Sequence, residues 1–348
     1  MLLHRLVSVV VGVDTHKDFH AVAVLAAGTG AVLARDTVPA TPAGYEAIVD
    51  LADQHSEPTD RAWAIEGTGS YGAGLTGHLG AGGEWVIEID RPARPARRNG
   101  AKSDDLDAER AAREALARDR WATPRARGAR EAMRVLVVTR AGAVRDRTRA
   151  TNRLKALVVS APDSLRDRLR ATGTTVKLVE RCSRLRDQPD RPVDHRTTVA
   201  ALRRLAQRVR HLTAEIAEHD RDLAELTNEH CPRLLAEHGI GHVTAAQIYI
   251  SWSHPGRCRN EAAFASLAGV APIDASSGRN IRHRINHGGD RHLNCALHTI
   301  ALVRARDHAP TRAYIERRTS EGKTPRETRR CLKRYLARHL YRLLETGP

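Results

Sequence analysis

The chain has 348 residues, with 57 Lys and Arg against 41 Asp and Glu and a formal net charge of +16. A pI near 10.4 and a mean hydropathy of -0.46, with no apolar run of membrane-spanning length, exclude a membrane-embedded chain. The five cysteines are scattered without a CxxC pair, which excludes a disulfide scaffold or zinc ribbon and suits a reducing cytoplasm. So basic a surface gathers polyanions, and nucleic acid is the leading partner class.

The first segment reads as strands at 7–13, 21–25 and 31–37, with Gly28 and Gly30 marking the second turn. The first strand is a β-branched run, apolar on both faces, and it ends at Asp14. Thr41 and Pro42 open a helix to about residue 53 as N-cap and first helical residue. A fourth strand at 62–65 ends at Glu66; a Gly-rich stretch with a helix over about 70–79 and a fifth strand at 84–89 follow. Residues 91–105, rich in Pro and Arg, read as a loop before a helix that starts at Asp104. This order describes an α/β sheet of the ribonuclease-H type.

Residues 125–160 form a long helical stretch, and 161–197 are polar and uninformative. Over 198–229 the apolar residues Leu202, Leu205, Val209, Leu212, Ile216, Leu223 and Leu226 stand near heptad spacing, which fits either a coiled coil or an amphipathic helix on its own domain. Around Gly239 and Gly241 the pattern is helix, turn, helix. Such a hairpin offers backbone N–H groups to a phosphate or serves as a tight connection. A short helix at 260–268, a hairpin or loop, and helices at 289–307, 310–321 and 325–345 complete the chain. Residues 270–348 carry 17 basic against 7 acidic side chains, which points to a binding face. Three regions are therefore expected: an α/β domain over 1–160, a helical or coiled-coil linker over 161–229, and a mostly α domain over 230–348 with a helix-hairpin-helix-like element.

Two constellations carry chemistry. Asp14, Glu66 and the pair Asp104 and Asp107, spaced i, i+3 on one helix face, supply the oxygen ligands that hard divalent cations such as Mg²⁺ take. Two such ions can activate the attacking oxygen and stabilise the leaving oxygen of a phosphodiester. The second is Ser276-Ser277-Gly278 followed by Arg279, Arg282, Arg284 and Arg291. A serine among arginines can attack phosphorus while the guanidinium groups neutralise the phosphate, although Ser-Ser-Gly also suits a plain turn. Lys17 joins the basic residues expected to meet nucleic acid.

In order, the blocks GVDTHKDFHAVAVL, IEGTGSYGAGL, KSDDLDAERAA, GIGHVTAAQI, FASLAGVAPIDASSG, GGDRHLNCAL and EGKTPRETRRCLKRYL resemble the DEDD serine transposases of insertion sequences, relatives of the Piv-type DNA invertases. The resemblance implies a RuvC-like ribonuclease-H fold whose acids Asp14, Glu66, Asp104 and Asp107 hold Mg²⁺. It also implies a C-terminal serine, Ser277 by position or its neighbour Ser276, that joins covalently to DNA. A structured non-coding RNA encoded by the element would guide the enzyme. A homo-oligomer in which one protomer's acids work with another's serine would assemble in the bacterial cytoplasm, at the nucleoid. A metal-dependent nuclease or junction resolvase without a covalent step, and a domesticated binding protein without activity, are the alternatives.

Overall fold

The computed structural model describes residues 2–89, 104–171, 173–274, 283–284 and 286–346. The chain divides into two compact units, Met1–Ala126 and Arg127–Pro348. The division falls before the long helix at 129–159, whereas the sequence reading set its first boundary at 160.

The first unit holds the strands β1 (Val9–Thr15), β2 (Phe19–Ala26), β3 (Val32–Pro39), β4 (Arg61–Glu66) and β5 (Val86–Ile89) in one sheet of order β3-β2-β1-β4-β5. The first three pair antiparallel, and β1, β4 and β5 run parallel. Helices α1 (Pro42–Asp53) and α2 (Ala73–Ala81) precede and follow β4, and α3 (Asp104–Ala117) follows β5. The alternation of the strands sorts their side chains between two faces. Val9, Val11, Val13, Trp63 and Ile65 meet Ile48 of α1 and Leu75 and Leu79 of α2, each buried leucine contributing about 1.5–3 kcal/mol. Val10, Ala21, Ala23, Ala62 and Ala64 meet Ala108, Ala111, Ala112 and Ala115 of α3.

That second face is a seam of small residues. A Cβ on Gly12 would lie 2.0 Å from the Ala108 carbonyl oxygen and 2.9 Å from the Ala112 Cβ, so glycine is required for α3 to approach β1. Helix α1 starts where expected, with Thr41 Oγ1 accepting from the Gly44 N–H at 3.3 Å and Pro42 at its first position. Helix α2 starts at Ala73 rather than 70. The chain first makes a turn in which the Ser70 and Gly72 N–H groups donate to the Gly67 carbonyl, with Gly67 at φ +72, a backbone conformation that suits glycine.

The second unit is mostly helical: α4 (Ala129–Val159), α5 (Asp163–Arg170), α6 (Thr175–Ser183), α7 (Val193–His230), α8 (Pro232–Leu235), α9 (His242–Trp252), α10 (Glu261–Leu267), α11 (Arg291–Asp307), α12 (Ala309–Ser320) and α13 (Pro325–Glu345). The two-residue strands β6 (Ile273–Asp274) and β7 (His283–Arg284) pair antiparallel. The heptad-like helix α7 finds its partner within the chain. It runs antiparallel to α4, with Ala143 beside Leu212 and Ile216 and Arg140 Nε on Asp220 Oδ1 at 2.6 Å. Toward the α4–α7 connection, Leu154 and Leu202 share a core with Leu165 of α5 and Cys182 of α6; the stretch that read as uninformative thus forms two short helices. At the opposite end α9, α10, α11 and α13 close around Phe264, Leu297 and Leu340. Between α8 and α9, Gly239 adopts φ +81, which makes the tight connection. Among the described residues no helix is long and apolar enough to cross a membrane.

Candidate functional site

Three of the four predicted acids are placed by the α3 seam. The parallel register pairs Val13 with Ile65, so Asp14 and Glu66, one residue further, stand side by side at the C-terminal ends of β1 and β4. Both are in phase with Val10, Gly12, Ala62 and Ala64 and therefore belong to the α3 face. Asp107 immediately precedes Ala108, the residue whose carbonyl meets Gly12. Asp104 opens α3, four residues before Ala108 on the same helical stripe; its side chain lies outside the described residues. Strand pairing and the Gly12–Ala108 approach thus bring the start of α3 to the strand ends that carry Asp14 and Glu66.

The carboxylates are half-buried and engaged. His16 Nε2 lies 3.1 Å from Asp14 Oδ2, its ring stacked on Phe19 at 4.7 Å. Asp107 Oδ1 accepts from Arg110 Nη1 at 2.5 Å. The Thr15 hydroxyl donates to the Glu66 carbonyl at 2.9 Å and ties the two strand ends together. The donor set is all carboxylate oxygen, the chemistry that Mg²⁺ prefers. Among the described residues no three His, Cys, Asp or Glu side chains stand close enough to hold an ion. Lys17 is exposed in the β1–β2 turn.

Several residues that hold this arrangement carried no readable signal. Glu109, one position past Ala108, is buried and accepts from Arg35 of β3 at 2.8 Å and Arg113 at 2.6 Å. Burial alone would raise its carboxyl; the hydrogen bonds from Arg35 and Arg113 more than offset that and hold it below the usual range. Arg61, at the start of β4, is wholly buried and bonds Asp53 at 2.6 Å and both oxygens of Glu84, which also accepts from the Trp63 indole at 2.7 Å. Charged side chains read as surface in a sequence; here each is kept inside by a partner that is distant along the chain.

In the second unit Ser276, Ser277, Arg279 and Arg282 lie outside the described residues, as does the 91–103 part of the predicted loop. Arg284 is exposed on β7, and Arg291 is the first, exposed residue of α11, whose N-cap Asp290 accepts from the His292 and Leu293 N–H groups.

Residues 11–161 match the family model of the IS110-type DEDD transposases, described as a transposase, and residues 231–316 match that of the transposase IS116/IS110/IS902 family. The first match takes in Asp14, Glu66, Asp104 and Asp107, and the second takes in Ser277, Arg279, Arg282, Arg284 and Arg291. No curated protein matches the chain.

Proposed function

Both matched regions make this chain a DNA transposase, and we propose that it cuts and rejoins DNA through a serine–DNA intermediate supported by a carboxylate-held divalent metal. In this reading the first unit is a RuvC-like ribonuclease-H domain. The observation that carries it is the side-by-side placement of Asp14 and Glu66 on the face that receives the start of α3.

Asp14, Glu66, Asp104 and Asp107 would hold Mg²⁺. When bound, such an ion neutralises a phosphodiester and polarises its oxygens. The Ser277 hydroxyl attacks phosphorus, and its proton passes by way of solvent to the oxygen that leaves. A serine–phosphate bond forms, the bond to one strand end breaks, and that end leaves as a hydroxyl. Attack by a DNA hydroxyl on the serine–phosphate reverses the step and reseals a strand without outside energy. Arg279, Arg282, Arg284 and Arg291 would offset phosphate charge, and Lys17 would contact the backbone beside the acids. Guidance by a non-coding RNA, assembly as a homo-oligomer and work in the bacterial cytoplasm at the nucleoid belong to the same proposal; the basic C-terminal stretch is what supports a polyanion partner.

The test is to trap a denaturation-resistant protein–DNA adduct. Wild type should form it in Mg²⁺, Ser277→Ala should not, and Ser276→Ala should. Cutting that survives in Ser277→Ala with no adduct would identify a nuclease without a covalent step and overturn the serine mechanism, whereas a surviving adduct would move the nucleophile to Ser276.

A further inference from the structure

The second unit contains a cleft of about 950 Å³ between the β6–β7 end, α11 and α13. Its wall is basic: Arg284, Lys323, Arg330, Lys333, Arg334 and Arg338 all line it. The chain has only six lysines, and two of them meet here. The α13 residues lie beyond the region matched by the C-terminal family model, which ends at residue 316.

Lys333 is the central group. Its Nζ donates to Asn294 Oδ1 of α11 at 2.6 Å, and Asn294 is itself fixed by donating Nδ2 to the Ala268 carbonyl at 2.7 Å. Burial pushes the Lys333 ammonium below its ordinary range, Cys295 acts the other way, and Arg329 and Arg330 lower it further. The neighbouring His298 is lowered as well, by burial and then by Lys333 and Arg329. Among the described residues no carboxylate pairs with Lys323, Arg329, Arg330 or Lys333. Glu327, the acid on the cleft wall, has Oε2 committed to the Thr324 N–H and hydroxyl at the start of α13. Arg334 Nη1 is buried with no hydrogen-bond partner, and its Nη2 reaches Glu261 only at 3.7 Å. Arg338 pairs with Glu261 at 2.8 Å, and Glu327 faces Lys323 and Arg330 electrostatically. The six wall cations thus outnumber the carboxylates beside them, and Lys333 is partly desolvated with no carboxylate partner of its own, a cost that an incoming anion would relieve.

The paired strands β6 and β7 end on this cleft, and the segment that carries Ser277 leaves at Asp274 and returns at His283, opposite it in register. We propose that the cleft is a phosphate site that takes one backbone phosphodiester of the DNA strand on which the serine segment acts, with Lys333 as its direct ligand and Asn294 as the residue that positions the ammonium. The choice of DNA rests on the serine reading given above; the phosphate site does not.

The six lysines make the test direct. The full chain is acetylated with a lysine-reactive ester, and each lysine is followed by mass spectrometry with inorganic phosphate at constant ionic strength, with a mixed-sequence DNA duplex, or with single-stranded RNA. Phosphate and duplex should slow Lys333 several-fold while leaving Lys155 of α4 and Lys177 of α6 unaffected. Lys333→Met, which keeps the buried stem, should retain the helical circular dichroism and lower the salt dependence of duplex binding by about one unit in log–log slope. Asn294→Ala should shift the pH profile of Lys333 acetylation to lower pH at unchanged circular dichroism, because the ammonium loses an acceptor. A Lys333 rate that bound duplex does not change, or an unaltered salt slope in Lys333→Met, overturns the site. Slowing by RNA and not by duplex overturns the assignment to DNA. Ser277→Ala should lose the covalent adduct and keep Lys333 protection, which separates a failure of this proposal from a failure of the serine mechanism.

Discussion

Gly12 and Ala108 meet with no room for a side chain between them, since a Cβ on Gly12 would stand 2.0 Å from the Ala108 carbonyl oxygen. Backbone cannot move aside as a flexible side chain can, so Gly12→Ala must push α3 off the sheet. The expected cost is about 2–3 kcal/mol in urea unfolding, together with loss of DNA cutting even at temperatures where the variant is folded. Cutting at the wild-type rate in a stably folded Gly12→Ala variant would show that the placement of α3 does not set the acid site.

Asp14→Asn should keep the fold, because the side chain is half-buried and asparagine retains its shape. It should lose more than about 100-fold in Mg²⁺-dependent cutting, above the effect typical of groups that merely support a metal ligand. Wild type should also gain thermal stability with added Mg²⁺ through binding to the folded state alone. A metal-induced rise in melting temperature equal in Asp14→Asn and wild type would remove Asp14 from the ion's ligands.

The wholly buried Arg61, held by Glu84 and Asp53, anchors the start of β4, the strand that ends at Glu66. Removing it leaves Glu84 charged and buried, 6% exposed. Arg61→Met should cost about 3–5 kcal/mol. Combining it with Glu84→Gln should recover part of that loss, measured as a double-mutant cycle; additive losses would argue that the two side chains act separately.

His20 is wholly buried and lies 5.8 Å from the Tyr45 ring in a stacked arrangement. Neither of its ring nitrogens has a well-aligned partner. Burial lowers it below its ordinary 6.5, so the unfolded chain takes up this proton at a higher pH than the folded one. The associated stability is complete above about pH 6.5 and is lost as pH falls below it, by up to about 1.4 kcal/mol per pH unit. His20→Phe should flatten urea-unfolding stability between neutral pH and about pH 5. A slope identical to wild type would assign the acid sensitivity to other groups.

The strands of the first unit and the start of α1 were legible because each depends on neighbours in sequence. The β-branched run before Asp14 and the Thr41-Pro42 start of α1 are such local signals; the Thr324–Glu327 pair, which forms a reciprocal capping box at the start of α13, is equally local and went unread. The acids at the ends of β1 and β4 followed from that strand reading. The seam that seats α3 was not legible, because Gly12 reads as an ordinary strand glycine until Ala108 is placed against it. The Arg35–Glu109 and Arg61–Glu84 pairs are similarly invisible, since helical or strand periodicity does not reveal a partner 74 or 23 residues away. The heptad spacing of α7 announced an apolar stripe and left its partner open; the antiparallel α4 supplies it.

The α4–α7 pair has a narrow middle. Its two ends are rooted in separate cores, one with α5 and α6 and one with α9, α10, α11 and α13, while Ala143, Leu212 and Ile216 alone are buried between them. At 1.5 Å per residue, the 38 residues of α7 extend for about 57 Å, too far for one end to sense the other except along the helices themselves. The α5–α6 end should therefore open as its own cooperative unit, with amide hydrogens that exchange earlier than those around Phe264. The unit reads as a rod with a detachable head, in which the α5–α6 end can loosen while the end built around Phe264 stays closed.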